Sequence, residues 1–152
     1  MSQENVEIVR RFFEGIEQSL ETHWENPRSV TALNEAGDLP PEAEELFALM
    51  DPAFEWETVF AGVTFRGHLD VARGMDWLLE AAEDFRVTLG EVTDLGADQV
   101  LATVDRIFKG KSSEIQIAGR LFSLVTLRGG LIARMHEYAD RTEALEAVGV
   151  SE

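Results

Sequence analysis

The sequence predicts an α+β fold in which about three N-terminal helices pack on a strongly curved, mostly antiparallel sheet, with a short helix at the C-terminus. Three observations predict it. Apolar residues recur at three- and four-residue steps in the first half of the chain and at two-residue steps in the second half. The links between the second-half segments are short and carry turn residues, which suits antiparallel hairpins. One of those segments, Ser113–Leu127, is about fifteen residues long and contains Gly119, where a bulge or sharp kink is expected. Helices followed by strands form segregated layers, and a sheet that curves around helices leaves a cone with a cavity inside.

Residues 3–22 form the first expected helix, with Val6, Val9, Phe12, Phe13, Ile16 and Leu20 on one face and Ser2 as N-cap. Periodicity is then lost over about 24–40, where Asn26-Pro27, Gly37-Asp38 and Pro40-Pro41 are breakers. This long connection has room for one helical turn near Val30–Glu35. Pro41 opens a second helix through about Met50, and Asp51-Pro52 ends it. Phe54–Phe60 alternates as a strand, Gly62 turns the chain, and Val63–Phe65 pairs back. Gly67-His68-Leu69-Asp70 starts a third helix through about Ala82, with Leu69, Ala72, Leu78 and Leu79 inward. Four strands are then expected at Phe85–Val92, Gln99–Phe108, Ser113–Leu127 and Leu131–Tyr138, before a helix at Thr142–Val148 stopped by Gly149.

The 152 residues read as one domain, 45% hydrophobic and long enough to bury a core. A formal net charge of −16 repels phosphate backbones and anionic bilayers, so neither nucleic acid nor membrane is an expected partner. No apolar run reaches the roughly 18 residues of a spanning helix, and the N-terminus shows no signal-peptide pattern. Cys is absent, which removes thiolate chemistry and suits a reducing cytoplasm, the expected location. His23, His68 and His136 are far apart and follow no ligand spacing, and no glycine-rich phosphate loop occurs. No metal and no cofactor are expected.

Several patterns, in order along nearly the whole chain, resemble the SnoaL-like group of the nuclear transport factor 2-like superfamily. They are Asn5–Phe13, Phe54-Glu55-Trp56, Phe65-Arg66-Gly67-His68, Leu127–Ile132, and Glu137–Arg141 followed by Ala144-Leu145. The stretch from about Trp24 to Pro40 is longer than usual for the group. The resemblance implies a cone-shaped fold with an apolar pocket. It does not imply one reaction, because the fold hosts isomerases, cyclases, hydrolases and non-catalytic subunits.

Ketosteroid isomerase chemistry needs a tyrosine, a carboxylate base and a protonated carboxyl. The matching positions here are Phe12, Trp56 and Ser123, so that activity is not expected. Limonene epoxide hydrolase resembles this chain around His136–Asp140, which puts Glu137 at the position of its acid. Arg106 matches its arginine, but Phe108 stands where its aspartate belongs, and Asp105 falls on the opposite face by strand alternation.

The expected site is therefore a pocket shaped by Phe12, Trp56, Phe65, Ser123 and Met135, with Glu137 inside. Burial would raise the pKa of Glu137 and fit it for general acid–base work, assisted by Arg106 or by His68 at a helix start. The competing expectation is that Glu137 pairs with Arg106 or Arg120 and only ties strands together. His23 is expected to cap a helix C-terminus. The expected function is binding of a small apolar molecule, with a cofactor-independent isomerase, cyclase or hydrolase step if the protein is an enzyme. The alternative is a non-catalytic accessory subunit that dimerises through the outer sheet face, where Glu114, Gln116, Arg120, Phe122 and Leu124 alternate.

Overall fold

The structure, a computed structural model, describes residues 2–59, 62–111 and 116–149. Four helices and two strands come first: α1 (Ser2–Glu25), α2 (Val30–Ala36), α3 (Pro41–Ala48), β1 (Met50–Glu57), β2 (Thr64–Arg66) and α4 (Gly67–Ala81). Four long strands follow, β3 (Ala82–Gly96), β4 (Gln99–Gly110), β5 (Gln116–Arg128) and β6 (Leu131–Tyr138), and then α5 (Arg141–Glu146).

The six strands form one curved sheet in the order β2-β1-β6-β5-β4-β3. All neighbours are antiparallel except β1 and β6, which run parallel and bring Trp56 beside Met135. Along β4–β5–β6, Ala102, Ser123 and Glu137 stand side by side. Val100, Val125 and Met135 form the next row on the same face. This concave face meets α1 through Val9, Phe12, Phe13 and Leu20, and meets α4 through Val71, Leu78 and Leu79, all buried.

Two bonds fix α1 along β3. Asn5 Nδ2 donates to Asp98 Oδ1 at 3.0 Å, at the β3–β4 turn. Trp24 Nε1 donates to the Phe85 carbonyl at 3.0 Å, near the start of β3. The second bond carries α1 to Glu25, past the expected end near residue 22. Turn chemistry at β3–β4 follows the pattern for a two-residue hairpin, with Ala97 and Asp98 both at positive φ, 51° and 59°.

Several expectations need correction. The connection at 24–40 holds the end of α1 and a complete short helix, α2, so four helices precede the long strands. The helix from Pro41 stops at Ala48, because Met50 already pairs with Ile132 of β6. Gly119 makes no bulge: β4 and β5 stay in register from Gln99–Thr126 to Lys109–Gln116. Register shifts lie elsewhere, in β1 between Met50 and Glu55, at three places along β3 and in β5 between Thr126 and Leu127. Phe60, Ser113 and Glu114 lie outside the described residues. The outer sheet face is also partly covered. Ala144 and Leu145 of α5 pack with Leu101, Phe122 and Tyr138 there.

Candidate functional site

A cavity of about 220 Å³ opens between the helices and the concave sheet face. Its inner wall is Phe12 and Ile16 of α1, Phe54 and Trp56 of β1, Met135 of β6 and Leu79 of α4. Leu46 and Phe47 of α3 close one side. Residues of the 24–40 stretch cover the other: Asn26, Arg28, Val30, Leu33, Asp38, Leu39 and Pro40 all line it.

The cover is tied to α4 at one place. Asp76 Oδ1 accepts from Val30 N–H at 2.6 Å, and Oδ2 accepts from Thr31 N–H at 3.0 Å and from Ser29 Oγ at 2.9 Å. Ser29 Oγ in turn accepts from Ala32 N–H at 3.1 Å. Three of the amides left open at the N-terminus of α2 are thereby satisfied. Burial opposes ionisation of Asp76, but the bonds from Thr31, Ser29 and Val30 together outweigh it and hold the carboxyl below its usual pKa.

Behind Trp56 lies Glu137. Trp56 Nε1 donates to Glu137 Oε2 at 3.1 Å, and Val59 N–H donates to Oε1 at 3.2 Å. Burial pushes the Glu137 pKa up, against the opposing pull of the Trp56 and Val59 bonds and the Arg106 charge. Arg106 is buried on the same sheet face and is held below its usual pKa, by burial first, with the Glu137 charge acting the other way. Ser123 stands beside Glu137 in register. No ion pair within 4.0 Å joins Glu137 to either arginine. Arg120 pairs instead with Asp105 on the outer face, at 3.1 Å.

The sequence-named residues thus fall into three groups. Phe12, Trp56 and Met135 line the cavity. Glu137, Arg106 and Ser123 gather beyond Trp56 and are not on the cavity wall. Phe65 is also off the wall and backs Trp56, with ring centroids 5.2 Å apart. Gly74 of α4 allows that tilted ring contact, since a Cβ there would sit 2.8 Å from the Phe65 ring. His68 serves elsewhere. Its Nε2 is 3.0 Å from the Met50 carbonyl and its ring packs on Phe47, and no hydrogen bond or ion pair joins it to Glu137.

Ser19 and His23 are wall residues that sequence reasoning did not assign to the site. The signal was present, because Phe12, Ile16, Ser19 and His23 follow three- and four-residue steps on α1. His23 lies in the last turn of α1 with its ring edge-on to Trp24, and burial lowers its pKa, against the nearby Asp76 charge.

The SnoaL-like domain profile matches residues 27–135. The chain belongs to that family. It also resembles many solved structures of the same fold. One is a SnoaL-like polyketide cyclase, so described, from Jannaschia sp., at 17% identity and a TM-score of 0.64, covering 100% of this chain and 96% of that one. A nuclear transport factor 2-like protein from Burkholderia xenovorans shares 22% identity with a TM-score of 0.60, over 97% of this chain and 96% of that one. An LEH-like epoxide hydrolase from M. tuberculosis shares 13% identity with a TM-score of 0.61, over 95% and 89%. Identities this low show a shared fold and no more. No curated protein matches the sequence. The family's α+β cone is the architecture described above, and no helix among the described residues is long and apolar enough to cross a membrane.

Proposed function

We propose that this SnoaL-like protein binds one small, mainly apolar molecule in the cavity beneath α2. The observation that carries this reading is the cavity itself, with a wall of aromatic and aliphatic side chains at its inner end. An engineered apolar cavity of about 150 Å³ accepts benzene, so 220 Å³ suits a substituted ring a few atoms larger, of terpenoid size. Titration with p-cymene tests it: saturable calorimetric binding and a rise in melting temperature are expected. Ile16→Trp, which places an indole in the cavity, should abolish both. An unchanged titration in that variant refutes the site.

A second reading adds cofactor-independent acid–base chemistry at Glu137, and one observation favours it. A buried carboxyl of raised pKa stands against the wall residue Trp56, within the field of Arg106. In that role Trp56 turns aside from Glu137, which then holds or delivers a proton at the inner end of the cavity, and Arg106 steadies developing negative charge. Loss of Glu137 from an isomerase, cyclase or hydrolase step should lower turnover about a hundredfold or more. Equal turnover of a lipophilic epoxide or polycyclic ketone by wild type and Glu137→Gln removes Glu137 from the mechanism.

The outer face supports a homodimer as a further part of this proposal. Ile107 is 41% exposed there, beside Ala118 in register, and apolar surface at a sheet face is suited to burial against a second copy. Ile107→Glu should then shift the sedimentation coefficient from dimer to monomer.

A further inference from the structure

We propose that the ligand of the cavity carries one neutral oxygen group, an alcohol or a ketone, that hydrogen-bonds to Ser19. The inference rests on the reading of the cavity as a binding site for an apolar molecule and names the chemical class of that molecule.

Helix α1 sets the axis of the cavity. Phe12, Ile16, Ser19 and His23 line it in turn, and at about 1.5 Å of rise per residue they span about 16 Å. The Phe12 end is apolar, walled by Trp56 and Met135. Ser19 is the first polar side chain met along α1 on leaving that end. Its hydroxyl is buried and has no hydrogen-bond partner among the described residues.

A helical serine usually bonds back to the carbonyl one turn earlier. Thr22, one turn further along α1, has such a contact: its Oγ1 lies 3.2 Å from the Gln18 carbonyl and 2.7 Å from Glu42 Oε1, and its one proton goes to one of these acceptors at a time. Ser19 has neither kind of contact. A buried hydroxyl without a partner is unfavourable, and rotation of the Ser19 side chain towards a ligand oxygen in the cavity would complete it. Because a hydroxyl both donates and accepts, Ser19 can complete either an alcohol or a carbonyl.

The charges on the lining argue for a neutral group. Asp38 and Glu42 line the cavity with Arg28, so a ligand carboxylate finds more repulsion than attraction. Burial keeps the His23 imidazole towards its neutral form. A ligand ammonium finds the Glu42 carboxylate within 2.7 Å of Thr22 Oγ1, and the Arg28 charge on the same lining opposes it.

Calorimetric titration of the full chain with four molecules on one skeleton tests the inference: p-cymene, cuminyl alcohol, cuminate and cuminylamine. Cuminyl alcohol should bind about tenfold more tightly than p-cymene, the ratio that about 1.4 kcal/mol gives. Cuminate and cuminylamine should bind more weakly than the alcohol. In Ser19→Ala the ratio of alcohol affinity to p-cymene affinity should fall to about onefold. Equal binding of p-cymene and the alcohol overturns this inference and leaves the binding reading standing, as does an advantage that survives Ser19→Ala. Tightest binding by the amine or the acid also overturns it. Failure of all four to bind overturns both readings together.

Discussion

Asp76→Ala should release the cover of the cavity without unfolding the sheet. Asp76 takes three hydrogen bonds, from Ser29 Oγ and the amides of Val30 and Thr31. The carboxylate is only partly buried, so water replaces much of what is lost. At about 1 kcal/mol net per intramolecular hydrogen bond, the loss is about 3 kcal/mol. A seven-residue helix with no buried residue is unstable by itself in water, so this tether is a large part of what orders it. The loss falls on local opening, because α2 detaches before the core is disturbed. At about 1.4 kcal/mol per tenfold, hydrogen exchange of the α2 amides, Leu33 among them, should accelerate about a hundredfold. Slowly exchanging amides of β4 and β5 should keep their rates. Native-state exchange followed by NMR gives both quantities. Wild-type exchange in α2, or equal acceleration in the central strands, would refute the reasoning. The same tether should weaken in acid. The folded pKa of Asp76 is depressed, so its contribution is present above the unfolded value of about 3.9 and is lost as pH falls through the lower folded value.

Other perturbations bear on the interior. The folded pKa of Glu137 is raised, so the stability it contributes is present below its unfolded value of about 4.3 and lost as pH rises through the folded one. Glu137→Gln should therefore gain melting temperature relative to wild type as pH rises through that window, and a constant difference would refute the burial of this carboxyl. Gly74→Ala drives a methyl into the Phe65 ring. Overpacking of about 1–3 kcal/mol should exceed the about 1 kcal/mol that alanine gains over glycine in a helix, so urea denaturation should show a net loss, and a gain would mean that Phe65 is free to move. Ser19→Ala removes a buried hydroxyl that lacks a partner and should stabilise the ligand-free protein by about 1 kcal/mol, measured by the same denaturation. Destabilisation there would show that the hydroxyl is satisfied.

The inner sheet face was legible because a strand alternates with a period of exactly two residues by geometry. Once Leu131–Tyr138 is read as a strand, Met135 and Glu137 must share a face. The tether of α2 was not legible, since Asp76 and Val30 are separated by 46 positions and neither residue type announces the other. The position of His68 shows the same limit. Its place at a helix start was readable, but its partner, the Met50 carbonyl, depends on where β1 begins. That in turn depends on Met50 pairing with Ile132, across most of the chain.

By itself, the sequence determined the α+β class, the four long strands, the inward aspect of Glu137 and the family resemblance. These follow from local periodicity and turn chemistry, which act over a few residues. Tertiary structure alone decided that Glu137 meets Trp56 and Val59 and makes no close arginine pair, and that the cavity stops short of it. It also decided that residues 24–40 fold into a cover, and that Ser19 is left without a partner. Each of these outcomes depends on distances between residues remote in the chain, and those distances are fixed only when the helices close over the curved sheet.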